Sequence, residues 1–239
     1  MIAEDALLFN ETNRLGAALW QRTLATVGLN NDPKMVSCML FKRLWSHHRG
    51  YALLYNGGLP VESDTILRSS IEAAICIAAN YKSPDGLWTQ LQQDALLTLN
   101  GQINQFRDMG DKEMEREAGA TRRWLAERLP PGLRAAKLSM QTLAKLGEVD
   151  MLYRFYRGLS GTSSHVTGLS VMRGVVTDQN LDMQDAWTDL TSKSHHLWQI
   201  AATLQGSLLH ALLLDETSHA ETSVALAKRL NDRLEAAGN

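Results

Sequence analysis

Between Ile66 and Ala79 the chain reads Ile-Leu-Arg-Ser-Ser-Ile-Glu-Ala-Ala-Ile-Cys-Ile-Ala-Ala. The stretch is apolar on nearly every face of a helix, yet it carries one carboxylate, Glu72, at its middle. A helix greasy all round sits at the centre of a fold or in a membrane. In either place an unpaired carboxylate is strongly disfavoured. The run is too short for a membrane span, which takes about 20 apolar residues, so the rest of the chain must wrap it. Arg68 lies one turn before Glu72, and Asp64 one turn before Arg68. An acid four residues ahead of an arginine is the favourable order on a helix. The spacing therefore predicts that Asp64 satisfies Arg68 locally while Glu72 lies deeper, among Ile71, Ala73, Ala74 and Ile75.

The flanking chain reads as helix after helix. A first helix is expected from Ala3 to about Val27. Asn31-Asp32-Pro33 then supplies a cap and a first-turn proline for a second helix, which stops at Gly57-Gly58. Pro60 opens the central helix. Ser83-Pro84 repeats the cap-and-proline start for a fourth, to about Met109, and a densely charged fifth covers Asp111 to Leu129. Pro130-Pro131-Gly132 breaks the chain. Helices are expected over roughly Leu133–Leu146 and from Val149 towards Ser164, with a long connection over Gly168–Asp182. Leu190, Ser194, Leu197, Ala201, Leu204, Leu208 and Ala211 advance by fours and threes, a heptad-like stripe that favours packing within the chain over a dimer seam. A last helix runs from about Glu216 to Ala237. No strand pairing is demanded. The expected fold is all-α, one domain over 1–239 of about eight or nine helices, with a core at 33–176 and a C-terminal helical pair at 185–237.

A formal net charge of -2 gives no global attraction to nucleic acid or anionic membrane, although local basic patches remain open. The first residues lack the basic start and apolar run of a signal peptide, and the expectation is a cytoplasmic protein away from the membrane. Cys38 and Cys76 sit in apolar helical patterns and read as buried thiols. Neither Cys/His metal spacing nor a phosphate loop is present, so no metal or cofactor is expected. Glu216 and His219 have the three-residue spacing of di-iron bundles, but those need a second copy.

The polar candidates fall into two groups. On the central helix stand Arg68 and Glu72. Later comes Tyr153-Arg-Phe-Tyr-Arg-Gly-Leu-Ser160, in which Tyr153, Tyr156 and Ser160 share one helical face, with Ser164 and His165 beyond. Together, Arg-Ser-Ser-Ile-Glu (68–72) and Leu-Tyr-Arg-Phe-Tyr-Arg-Gly-Leu-Ser (152–160) followed by His165 resemble an all-helical family of bacterial proteins known as a domain of unknown function. The resemblance covers about 35–176. It implies a joint site of Arg68, Glu72, Ser160 and His165, to which Tyr156 is added as a ligand contact, and brings no established activity.

A third pattern, Arg43-Leu-Trp-Ser-His-His48, is similar to the Arg-x-x-x-x-His motif of the helical HEPN ribonucleases, although Leu44 follows the arginine where a polar residue is common. That resemblance implies Arg43 and His48 as catalytic residues of a metal-independent ribonuclease, acting as a toxin or phage-defence effector, and His165 is added to them as a further catalytic candidate. Histidine would move protons while arginine offsets phosphorane charge. A histidine buried in the core explains the same spacing. The first reading is a ligand-binding or regulatory helical module that forms a homo-oligomer. An anionic small molecule held by Arg68, or RNA, is the expected ligand.

Overall fold

The computed structural model describes residues 2–29, 32–162 and 194–238, and these build an all-α fold. Among the described residues there are nine helices: α1 (Ala3–Thr23), α2 (Pro33–Asn56), α3 (Pro60–Lys82), α4 (Pro84–Met109), α5 (Lys112–Ala126), α6 (Met140–Leu146), α7 (Asp150–Thr162), α8 (His195–Leu213) and α9 (Thr217–Gly238). None of them is long and apolar enough to cross a membrane.

Helix starts follow local chemistry. The Asp32 side chain accepts the Lys34 amide at 2.8 Å, and Pro33 occupies the first turn of α2. Pro60 and Pro84 open α3 and α4, although Ser83 places no side-chain bond on the amides that follow it. Gly110 ends α4 at φ 73°, the left-handed conformation that glycine adopts without strain.

The expected helix at 133–146 is shorter, beginning only at Met140. The reason lies in partners that spacing does not show. The amide of Ala136 donates to the Gln93 carbonyl at 3.2 Å and that of Leu138 to Asp94 Oδ1 at 2.8 Å. Both amides are taken up by α4, so this segment runs along that helix instead of coiling. The first helix likewise ends at Thr23, before Val27. The connection over Gly168–Asp182 and the Leu190 end of the heptad-like stripe lie outside the described residues.

α3 is the centre of the bundle, packed against α2, α4, α6, α7 and α8. From Ser70 to Asn80 every residue but Glu72 is buried. Ile71 and Ile75 join Leu197, Ile200 and Leu204 of α8 in one apolar cluster. Ile77 joins Phe41, Leu44 and Leu209 in another. Leu197, Leu204 and Ala211 of the heptad-like stripe are thereby consumed within the fold. Cys38 and Cys76 are free, buried thiols, and burial pushes Cys76 up to about 12.

One element stands apart. α5 packs chiefly on α4, and its only buried residue is Ala118; α4 buries only Leu87 and Leu96. The α4–α5 hairpin is an arm on the side of the bundle.

Candidate functional site

Arg68 leaves α3 towards α7 and is held there on several sides. Its Nη2 donates to the Tyr156 hydroxyl at 2.6 Å and lies 3.2 Å from Glu72 Oε1, while Nε donates to Ser160 Oγ at 3.0 Å. The guanidinium also lies over the Tyr156 ring, 4.6 Å from its centroid. Ser160 in turn donates to the Tyr156 carbonyl at 2.9 Å. Tyr156 and Ser160 reach one arginine because they stand one turn apart on α7.

Glu72 is the exception to its buried neighbours: its side chain keeps 27% of its surface, and that of Arg68 keeps 18%. The carboxylate set in an apolar helix is thus tolerated by lying at the edge of the core, where Arg68 and solvent both reach it. Burial, reinforced by the Glu72 charge, raises the Tyr156 hydroxyl above its ordinary value, so the phenol stays protonated.

Asp64 has a different partner from the Arg68 that spacing offers. It is buried, and its Oδ1 meets His195 Nδ1 of α8 at 2.6 Å. Phe155, the neighbour of Tyr156 on α7, packs in a T-shape against the His195 ring, with centroids 5.5 Å apart. An Asp–His pair and an arginine cradle therefore stand one turn apart on α3, both bordered by α7.

α2 supplies the other border. His47 is half-buried and turned to the Ser69 backbone of α3, and burial with the Arg43 charge beside it lowers its pKa. Arg43 is exposed, and its charge is also felt by Cys76, one turn beyond Glu72. Around this face of α3 two arginines thus oppose one half-exposed carboxylate.

The structure does not join Arg43 with His48. His48 has no exposed surface: it stacks on Phe9 at 3.9 Å, its Nδ1 lies 2.9 Å from Thr203 Oγ1, and burial lowers its pKa to about 4. It is a neutral core histidine, whereas Arg43 faces out. Arg68, Glu72, Tyr156 and Ser160 are brought together. His165 lies outside the described residues.

Spacing also missed a buried polar spine on α8. His196 meets Asp5 at 2.7 Å, and Asp5 takes Arg233 as well at 2.8 Å. Gln199 accepts from Ser70 at 3.0 Å, Thr203 meets His48, and His210 lies 2.8 Å from both Thr23 and Ser37. A neutral imidazole, with one donor and one acceptor, suits two hydroxyls. The signal was present as His195, His196 and His210 on one helix; the partners, on α1 to α3, were not.

Glu216 and His219 form a surface pair at 3.3 Å, and Arg22 shares the same carboxylate at 2.6 Å. Among the described residues no group of three or more His, Cys, Asp or Glu could hold a metal ion. Comparison with protein-family models, with curated proteins and with solved structures finds no match.

Proposed function

We propose that this is a ligand-binding helical module and that the face of α3 between α2 and α7 takes an anionic small molecule on Arg68. The observation that carries this reading is how the guanidinium is held. Nε and Nη2 are fixed by Ser160, Tyr156 and Glu72 at an edge that solvent reaches, and among the described residues Nη1 has no partner. A fork oriented in advance loses little freedom on engaging a carboxylate or phosphate. Arg43 adds positive charge to the same face and leaves an excess over Glu72.

Thermal unfolding with a panel of mono- and dicarboxylates, phosphate esters and nucleotides tests this. A ligand at 100 times its Kd stabilises by about 2.7 kcal/mol, which raises Tm by several degrees in a chain of this size. The shift should vanish in Arg68→Ala. A panel without any hit, or equal shifts in both proteins, would count against the reading.

The ribonuclease alternative needs a histidine that reaches a phosphodiester. His48 is closed off and neutral, which favours the binding reading. Total RNA incubated with wild type, His48→Ala and His165→Ala should show no cleavage that depends on either histidine.

A further inference from the structure

From the α4–α5 turn along most of α5 a groove of about 390 Å³ runs between the two helices, lined by Ile103, Arg107, Lys112, Glu115, Arg116, Gly119, Arg122 and Arg123. Five cations share it with one carboxylate. Glu115 is already engaged, by Arg107 Nε at 2.9 Å and Lys112 Nζ at 3.2 Å, and Arg107 first, then Lys112, holds its carboxyl below the usual range. Arg122 donates to Asn100. Arg116 and Arg123 are exposed and have no acidic partner among the described residues. At about 100° per residue, Glu117 falls on the other side of α5 from this row, while Glu113 flanks it about 60° from Arg116. Glu127, one turn beyond Arg123, faces Arg128 at 3.8 Å.

We propose that this groove binds the phosphate backbone of a nucleic acid, without regard to base sequence. Lys112 and Arg123 are eleven residues apart, so the row is ~16 Å long at 1.5 Å per residue. A single phosphate group would engage only part of it, whereas successive phosphates along a strand engage it end to end. Like charges four residues apart, such as Lys112 and Arg116, oppose helix formation. Packing does not require them, since α5 touches little beyond α4. Among the described residues no aromatic side chain lines the groove, so the backbone is what it can read. The site is separate from the Arg68 cradle and stands without it.

The test is fluorescence anisotropy of labelled RNA and DNA oligonucleotides, single-stranded and duplex, against the full chain, with salt titrated and inorganic polyphosphate as a separate arm. Each phosphate neutralised contributes a slope of about -0.7 to -0.9 in log K against log[salt]. Arg116→Ala with Arg123→Ala should weaken binding by tens of fold at about 0.1 M salt and reduce the slope by about 1.4 to 1.8. Lys34→Ala with Lys82→Ala removes the same charge from other faces and should leave binding nearly unchanged. Circular dichroism checks that the helices persist; both arginines are exposed and alanine favours helix. Absence of oligonucleotide binding at low salt would overturn the proposal. So would binding of polyphosphate alone, equal loss in both double variants, or full retention in the arginine variant.

Discussion

Asp64 and His195 lie 131 residues apart in sequence, yet their Oδ1 and Nδ1 atoms stand 2.6 Å apart in the closed interior. The pair ties the first turns of α3 to the first residue of α8. Removing one member strands the other in a buried site, which typically costs ~3–5 kcal/mol, whereas apolar replacement of both partners is often neutral. Asp64→Ala should therefore destabilise by a few kcal/mol in urea unfolding, and Asp64→Leu with His195→Leu by clearly less. If the double variant loses the sum of its single changes, the two residues are not coupled.

The Arg68 cradle should respond to shape as well as charge. Arg68→Lys keeps the charge and loses the fork that Tyr156 and Ser160 grip. It should abolish ligand-dependent stabilisation almost as fully as Arg68→Ala. Tyr156→Phe removes one hydrogen-bond partner and should cost ~0.5–1.5 kcal/mol in the ligand-free protein. Unchanged ligand binding in Arg68→Lys would show that a point charge suffices.

Acid should weaken the fold through its core histidines. Burial lowers His48 to about 4 and His210 to about 3, against about 6.5 in the unfolded chain. Below about pH 6.5 the unfolded chain binds protons that the folded core refuses. Stability is therefore complete above that pH and falls as the pH drops towards 4, by up to ~1.4 kcal/mol per pH unit for each histidine. Urea midpoints measured from pH 8 to 4.5 should fall in that window, and His210→Gln should flatten the slope. A midpoint constant between pH 7 and 5 would contradict it.

Two glycines should answer alanine in opposite directions. A Cβ on Gly147 would lie 2.7 Å from Ala78 Cβ and 2.8 Å from the Ala79 backbone nitrogen, where α3 cannot give way. Gly147→Ala should cost ~1–3 kcal/mol by overpacking. Gly101, inside α4, has nothing within 4 Å of such a Cβ. There alanine should stabilise by up to ~1 kcal/mol through helix propensity. Chemical denaturation of both variants reads the contrast directly.

What could be read from sequence was what lies within one helix. The apolar run at 66–79 marked the centre of the fold, and Tyr156 and Ser160, one turn apart, marked a face that meets Arg68. Local spacing failed where a competing partner came from elsewhere. Asp64 stands four residues before Arg68 but meets His195, because α8 crosses α3 at that turn. The Arg-x-x-x-x-His pattern was equally explained by a core histidine, and His48 is one; what the spacing did not show is that Phe9 and Thr203, from other helices, close it in. Residues 133–139 have helix-forming side chains, and the α4 acceptors that take the Ala136, Leu138 and Ser139 amides explain why they do not coil.

The slight seating of α5, chiefly on α4, gives the chain two layers of cooperativity. Local opening is easiest where few apolar contacts would be lost, and α5 would give up little beyond Ala118 and its seat on α4. In native-state hydrogen exchange, amides of 112–126 should trade with solvent well before those of 70–80, which open only with the whole bundle. The arm can then melt and re-form while the interior stays shut, so an event along its groove need not perturb the Arg68 cradle.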